Sequence, residues 1–152
     1  MRRTLSAALL GGFVAGTIDI GSAALVNRAS PVVICRAIAA GVLGTASFHE
    51  GARAAVLGLL LQWGMAMIIA LLYLAGTALI PPLRARWGLG GFLAGVATFV
   101  VMNYVVLPLS AVGHAPHFTL QKGLENFAAL VLFAEIIAAF VYCGSHLRAR
   151  NS

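Results

Sequence analysis

The chain has 152 residues, 61% of them hydrophobic and 9% charged, with a net charge of +6 and a mean hydropathy of +0.98. A soluble domain is about half apolar and about a quarter charged, so this composition excludes a water-soluble globule: lipid has to cover the apolar surface. The basic residues stand singly or in pairs between apolar runs, which suits loops against anionic headgroups and excludes a nucleic-acid surface.

A spanning helix takes about 20 mostly apolar residues. The first such stretch covers residues 5–26 and is broken only by Asp19. Arg2-Arg3, the apolar run and the small residues Ser22-Ala23-Ala24 share features with a cleaved signal peptide. Asp19 inside the run, and the return of the same phrase later in the chain, favour a retained helix. Asn27 to Pro31 is a turn signal, with Ser30 as helix cap and Pro31 as first helical position. Beyond it Ile34, Ile38, Val42 and Leu43 share one helical face, Arg36 lies off it, and Gly41 and Gly44 loosen the run. Residues 32–47 are short for a span and read as a helix lying in the interface, apolar side down; the rival is a re-entrant or fifth spanning helix. His49-Glu50 then marks a helix end at the membrane surface.

The second span covers residues 54–80, is broken by Gln62 and is stopped by Pro81-Pro82. The third covers residues 89–110 and contains Asn103 and Pro108. A loop with His114-Ala-Pro-His117 follows. The fourth covers residues 124–144 and contains Glu125, Asn126 and Glu135. Along it Glu125, Ala128, Leu132, Glu135, Ala139, Tyr142 and His146 recur in alternating three- and four-residue steps. That stripe is expected to face protein or water and not lipid. Cys35 and Cys143 stand far apart in apolar stretches and read as small packing residues.

Basic residues near span ends set orientation. Four spans put both termini on one side with Arg2, Arg3, Arg84, Arg86, Arg148 and Arg150, against Arg28, Arg36, Arg53 and Lys122 on the other. The excess favours cytoplasmic termini.

The phrase "GGFVAGTIDI" at residues 11–20 returns as "GGFLAGVATF" at residues 90–99, and "IIALLYLAG" at 68–76 returns as "IIAAFVYCG" at 136–144. Both glycine phrases are G-x-x-x-G, which puts two small residues one turn apart and lets helix backbones approach. The repeats predict two tandem helical hairpins, with Gly12 and Gly16 of the first span touching Gly91 and Gly95 of the third. Two carboxylates break the repeat: Asp19 stands opposite Thr98, and Glu135 opposite Met67.

An ionisable group inside a membrane is a functional candidate by default. Asp19, Asn103 and Glu135 are expected to share a central space, with Asp19 nearer the outer surface. Glu125 and Gln62 complete a set suited to a binding pocket or a proton or cation pathway. Arg36 is the one basic residue placed to reach Asp19. The competing interpretation is a set of interhelical hydrogen bonds, each contributing about 0.6 kcal/mol. His114 and His117 flank Pro116 and are not an i,i+4 pair, so no metal site is expected. No phosphate-binding loop, nucleophile elbow, zinc-protease signature or dinucleotide fingerprint occurs, so neither catalysis nor a cofactor is expected.

Residues 90–120, "GGFLAGVATFVVMNYVVLPLSAVGHAPHFTL", resemble the YagU-like family of small bacterial inner-membrane proteins. The likeness lies in a glycine-rich helix start, a polar residue late in the same helix (Asn103), and two prolines after it (Pro108, Pro116). It covers chiefly residues 88–145 and implies a multi-span protein of the bacterial inner membrane, without implying active residues. The expectation is an all-α polytopic membrane protein: one domain over residues 1–152, four spans and one interfacial helix. It would act as a non-catalytic module packing on a partner subunit, a second copy of itself or lipid. The alternative is a proton- or cation-coupled transporter of small solutes using Asp19 and Glu135.

Overall fold

A computed structural model of the chain describes residues 2–111 and 119–149. His114, Pro116, His117 and Arg150 fall outside them. The described residues form helices joined by short turns, with no strand among them. The helices are α1 (Arg2–Asn27), α2 (Pro31–Leu43), α3 (Ala52–Leu79), α4 (Pro81–Ala85), α5 (Trp87–Val101), α6 (Leu107–Leu109) and α7 (Leu120–Ala149). A 3-10 segment, Gly44–Phe48, extends α2, and a π-helical segment, Met102–Val106, joins α5 to α6.

Five helical segments are long and apolar enough to cross a membrane: Arg3–Asn27, Pro31–Phe48, Ala52–Leu79, Trp87–Leu109 and Leu120–His146. The protein is thus a helical bundle with the make-up of a membrane-embedded chain. Pro31–Phe48 reaches 18 residues only with its 3-10 tail counted. α2 alone rises only about 20 Å. Its start is as the sequence predicts: Ser30 Oγ accepts from the Val33 N–H at 3.4 Å, and Pro31 needs no donor. It stops at Gly44, whose φ of 62° is the left-handed conformation glycine adopts without strain.

α1 and α3 run antiparallel. Gly12 lies against Ala66 and Ala70, Gly16 against Ala66 and Trp63, and Asp19 against Gln62, so one helix climbs in number as the other falls. α5 and α7 pair the same way: Gly91 meets Glu135 and Ala138, Gly95 meets Val131, and Asn103 meets Asn126. α7 also packs on α1, where Gly11 sits against Ile137 and Phe140, and Gly144 against Ala7. The core is mostly alanine (Ala8, Ala15, Ala66, Ala70, Ala134 and Ala138), filled out by Tyr73, Phe133, Ile137 and Val141. Without water to expel, association rests on close backbone packing, which small residues permit.

The expected meeting of the two glycine faces is therefore corrected. Gly12 and Gly16 serve α1 against α3, and Gly91 and Gly95 serve α5 against α7. A glycine notch gains contact when another helix's side chain fills it. Here Ala66 and Ala70 fill the notch on α1, and Ala138 and Val131 the one on α5. α7 takes the central place, receiving α1 and α5.

α2 begins just beyond the end of α1 and crosses α3 where the Cys35 carbonyl sits on Gly58. Arg36 Nε donates to the Gly51 carbonyl at 3.0 Å. The Ala111 N–H donates to the Gly41 carbonyl at 2.8 Å, so the far end of α2 reaches the chain just beyond α6.

Candidate functional site

At the end of the bundle where α1 and α6 finish and α7 begins, a cavity of about 600 Å3 opens among polar side chains from three helices. Asp19 and Asn27 come from α1, Asn103 from the π-helical segment, and Lys122, Glu125 and Asn126 from α7; Val26, Met102, Leu107 and Leu130 are among its apolar walls. The volume falls in the range of small-molecule pockets, about 300–1,000 Å3.

Each wall has a local cause. Pro108 has no N–H for the Tyr104 carbonyl, so the helix before it cannot keep its usual register. It widens instead, with the Leu107 N–H donating to the Met102 carbonyl five residues back. Such widenings recur at functional sites, and this one carries Asn103, which is buried. Asn103 Nδ2 donates to the Phe99 carbonyl at 2.8 Å, and its Oδ1 accepts from Asn126 Nδ2 at 3.2 Å. That bond joins α7 to the π-helical segment.

Carbonyls in the last turn of α1 find partners from beyond the helix ladder, as a helix end requires. The Ala29 N–H serves Ala24, the Arg28 N–H serves Leu25, and Asn27 Nδ2 serves Ala23 at 2.9 Å. Lys122 Nζ serves Val26 at 2.7 Å, placing a cation at the negative end of the helix dipole. Lys122 also pairs with Glu125 Oε2 at 3.4 Å, and Gln121 Nε2 donates to Glu125 Oε1 at 2.9 Å. Asp19 is held from the third side. Buried Gln62 on α3 donates through Nε2 to Asp19 Oδ2 at 2.7 Å. Next to it Trp63 Nε1 donates to Thr17 Oγ1 at 3.2 Å, and the Trp63 ring stacks on Phe13 with centroids 4.7 Å apart.

The structure thus brings Asp19, Asn103 and Glu125 to one cavity, with Gln62 reaching Asp19 from behind. Glu135 does not join them. Its Oε2 lies 2.6 Å from where a Cβ on Gly91 would stand, and the buried Tyr73 hydroxyl lies 2.7 Å from where one on Gly90 would stand. Among the described residues that hydroxyl has no hydrogen-bond partner. Ala15, Ala66 and Ala134 of the core fall between the two places in the order of their helices. The single central space expected for Asp19 and Glu135 is therefore two places with dry packing between them.

The α7 stripe borders the core, with Glu125, Glu135, Ala139 and Tyr142 half-buried, and one further expectation, on Arg36, is corrected. Leu132 and His146 are exposed, while Phe133, Ala134, Ile137, Ala138 and Val141 form the buried face. α7 carries α1 and α5 on its small-residue side, which turns the carboxylates to its flanks. Arg36 donates to Gly51 and not to Asp19, because α2 crosses α3 near its first turns, away from Asp19. The sequence reading missed Asn27, Lys122 and Asn126 as parts of the site. Lys122 lies three residues before Glu125 and four before Asn126, the steps that put side chains on one helical face. That was the available signal.

Among the described residues no three metal-ligating side chains come together. No family model, curated protein or solved structure matches the chain, so the YagU-like resemblance rests on its own motifs in residues 88–145.

Proposed function

We propose that the chain is a non-catalytic four-span module of the bacterial inner membrane, with cytoplasmic termini, and that its working surface is the polar end cavity. The observation that carries this reading is the convergence of Asp19, Asn103, Lys122, Glu125 and Asn126 on one cavity of about 600 Å3, while Glu135 stands beyond an alanine core. A surface of this kind holds a headgroup or a side chain of a partner subunit; a passage through the bundle would need polar groups across that core, where alanines stand.

The direction of the helices supports four spans. α1 and α3 are antiparallel, so the chain between them begins and ends at one end of the bundle. The contacts of α2 with Gly51, Gly58 and Ala111 agree with a helix lying across that end. Duplication of the hairpin draws support from matched contacts. A Cβ on Gly12 would lie 3.1 Å from the Ala70 Cβ, and one on Gly91 would lie 3.1 Å from the Ala138 Cβ. These are equivalent positions in both repeated phrases. Gly16 beside Trp63 and Gly95 beside Val131 continue the same register.

The transporter reading retains one specific observation, the unpartnered Tyr73 hydroxyl in the half of the bundle that holds Glu135. Proton or potassium flux in proteoliposomes separates the two readings. The module is expected to give the flux of empty vesicles, and Asp19→Asn and Glu135→Gln to change nothing. Flux above that level, lost in both variants, would overturn it.

A further inference from the structure

We propose that the end cavity binds a primary ammonium group, as carried by an ethanolamine headgroup or a small free amine; this rests on the cavity being the working surface. Among the described residues the cavity is lined by two carboxylates and one cation: Asp19, Glu125 and Lys122. Lys122 is committed to Glu125 and to the Val26 carbonyl. Asp19 is left with an uncharged partner, the Gln62 amide, which occupies only Oδ2. One carboxylate in the cavity therefore has no cation.

The hydrogen-bond inventory points the same way. Asp19 Oδ1 takes no hydrogen bond among the described residues. The side-chain oxygens of Asn27 and Asn126 also take none, since both residues spend their amide nitrogens as donors, to the Ala23 carbonyl and to Asn103 Oδ1. Acceptor oxygens along one cavity, one of them on a carboxylate, suit the N–H donors of an ammonium head; Asp19 and Asn27 stand about 12 Å apart along α1, so the two do not share one head. An anion would meet these oxygens and a Lys122 already paired with Glu125 and bonded to the Val26 carbonyl. A trimethylated ammonium would need aromatic faces, and among the described residues no aromatic lines the cavity. The apolar walls at Val26, Met102, Leu107 and Leu130 give the carbon stem of such a group somewhere to lie.

The test is lipid retention in native mass spectrometry of the detergent-purified full chain. Ethanolamine, choline and glycerol phospholipids are offered at equal concentration, and free ethanolamine is titrated separately against the thermal midpoint. Ethanolamine phospholipid is expected to be retained at least tenfold over both others. That preference should vanish in Asp19→Asn and survive in Glu135→Gln. Asn126→Lys serves as second variant: its tethered ammonium should fill the place, so the preference disappears even if Asp19→Asn folds poorly. A midpoint raised by free ethanolamine without lipid preference, and lost in both cavity variants, supports the same chemistry from a soluble source. Preference for glycerol phospholipid, abolished by Lys122→Gln, overturns the ammonium proposal and leaves the cavity reading standing. If Asp19→Asn, Asn126→Lys and Lys122→Gln all leave every probe's binding unchanged, both fall.

Discussion

Asp19 and Gln62 show how a polar pair inside an apolar bundle is held. Neither helix supplies a backbone partner for the Asp19 carboxylate, and the 2.7 Å bond from Gln62 ties it to α3. Removing the donor and keeping the acid should cost more than neutralising the acid, because a buried polar group left unpaired costs about 1–3 kcal/mol. Gln62→Leu is expected to lose that much in reversible unfolding in detergent, and Asp19→Asn less, since an amide still accepts from Gln62. Equal losses would mean that the bond contributes nothing. The glycines divide by the same logic. A Cβ on Gly64 or Gly76 meets nothing within 4 Å, whereas one on Gly58 runs into the Cys35 carbonyl. Gly64→Ala should leave the midpoint unchanged or raise it, by up to about 1 kcal/mol of helix propensity. Gly58→Ala should lower it and push α2 away from α3. At this scale the sequence showed which residues were out of place in a span: Asp19, Gln62, Asn103 and Glu135. It did not show which of them meet, because partner choice depends on which helix flank each occupies, and hydropathy carries no such information.

Among the elements, α2 and the π-helical segment decide the shape of the cavity end. α2 carries enough apolar length to cross a membrane once its 3-10 tail is counted. Yet it starts beside the end of α1 and finishes against Ala111. The two topologies give opposite results in a labelling experiment. With Cys35 and Cys143 replaced by alanine, single cysteines at Arg28→Cys and His49→Cys, both exposed positions, should react with an impermeant maleimide from the same side. Reaction from opposite sides would make α2 a fifth span. The short apolar run, the Ser30-Pro31 start and the glycines at its end were all readable in the sequence. The π-helical segment was not. Pro108 announces an interruption, but whether a helix answers with a kink, a break or a wider turn depends on what its neighbours offer. Here the Asn126 amide on α7 meets the turned-out Asn103.

For the whole molecule, repeated phrases gave hairpins, and the error lay in assuming that like faces meet. In the structure each glycine face is used within its own hairpin, and the hairpins are joined by a different surface, α1 on α7, through Gly11 beside Phe140 and Ala7 beside Gly144. This separates two kinds of interface that a mutation can address independently. Expressed as two chains divided between α4 and α5, the hairpins should assemble into the native bundle, since the break falls in a short exposed turn and cuts none of the helices of the core. Gly11→Leu would drive a large side chain into a place where a Cβ already comes within 2.7 Å of the Phe140 Cβ. It should abolish co-purification of the two halves and leave each hairpin helical by circular dichroism. Gly12→Leu would strike the Ala66 carbonyl, 2.9 Å from its Cβ position, and so disrupt the first hairpin itself. In that variant helix content or protease resistance of the isolated first half should fall, and assembly fails as a consequence. If Gly11→Leu leaves co-purification intact, the α1–α7 contact is not what joins the halves. The joint would then have to lie at the cavity end, in the tie from Lys122 to the Val26 carbonyl of α1.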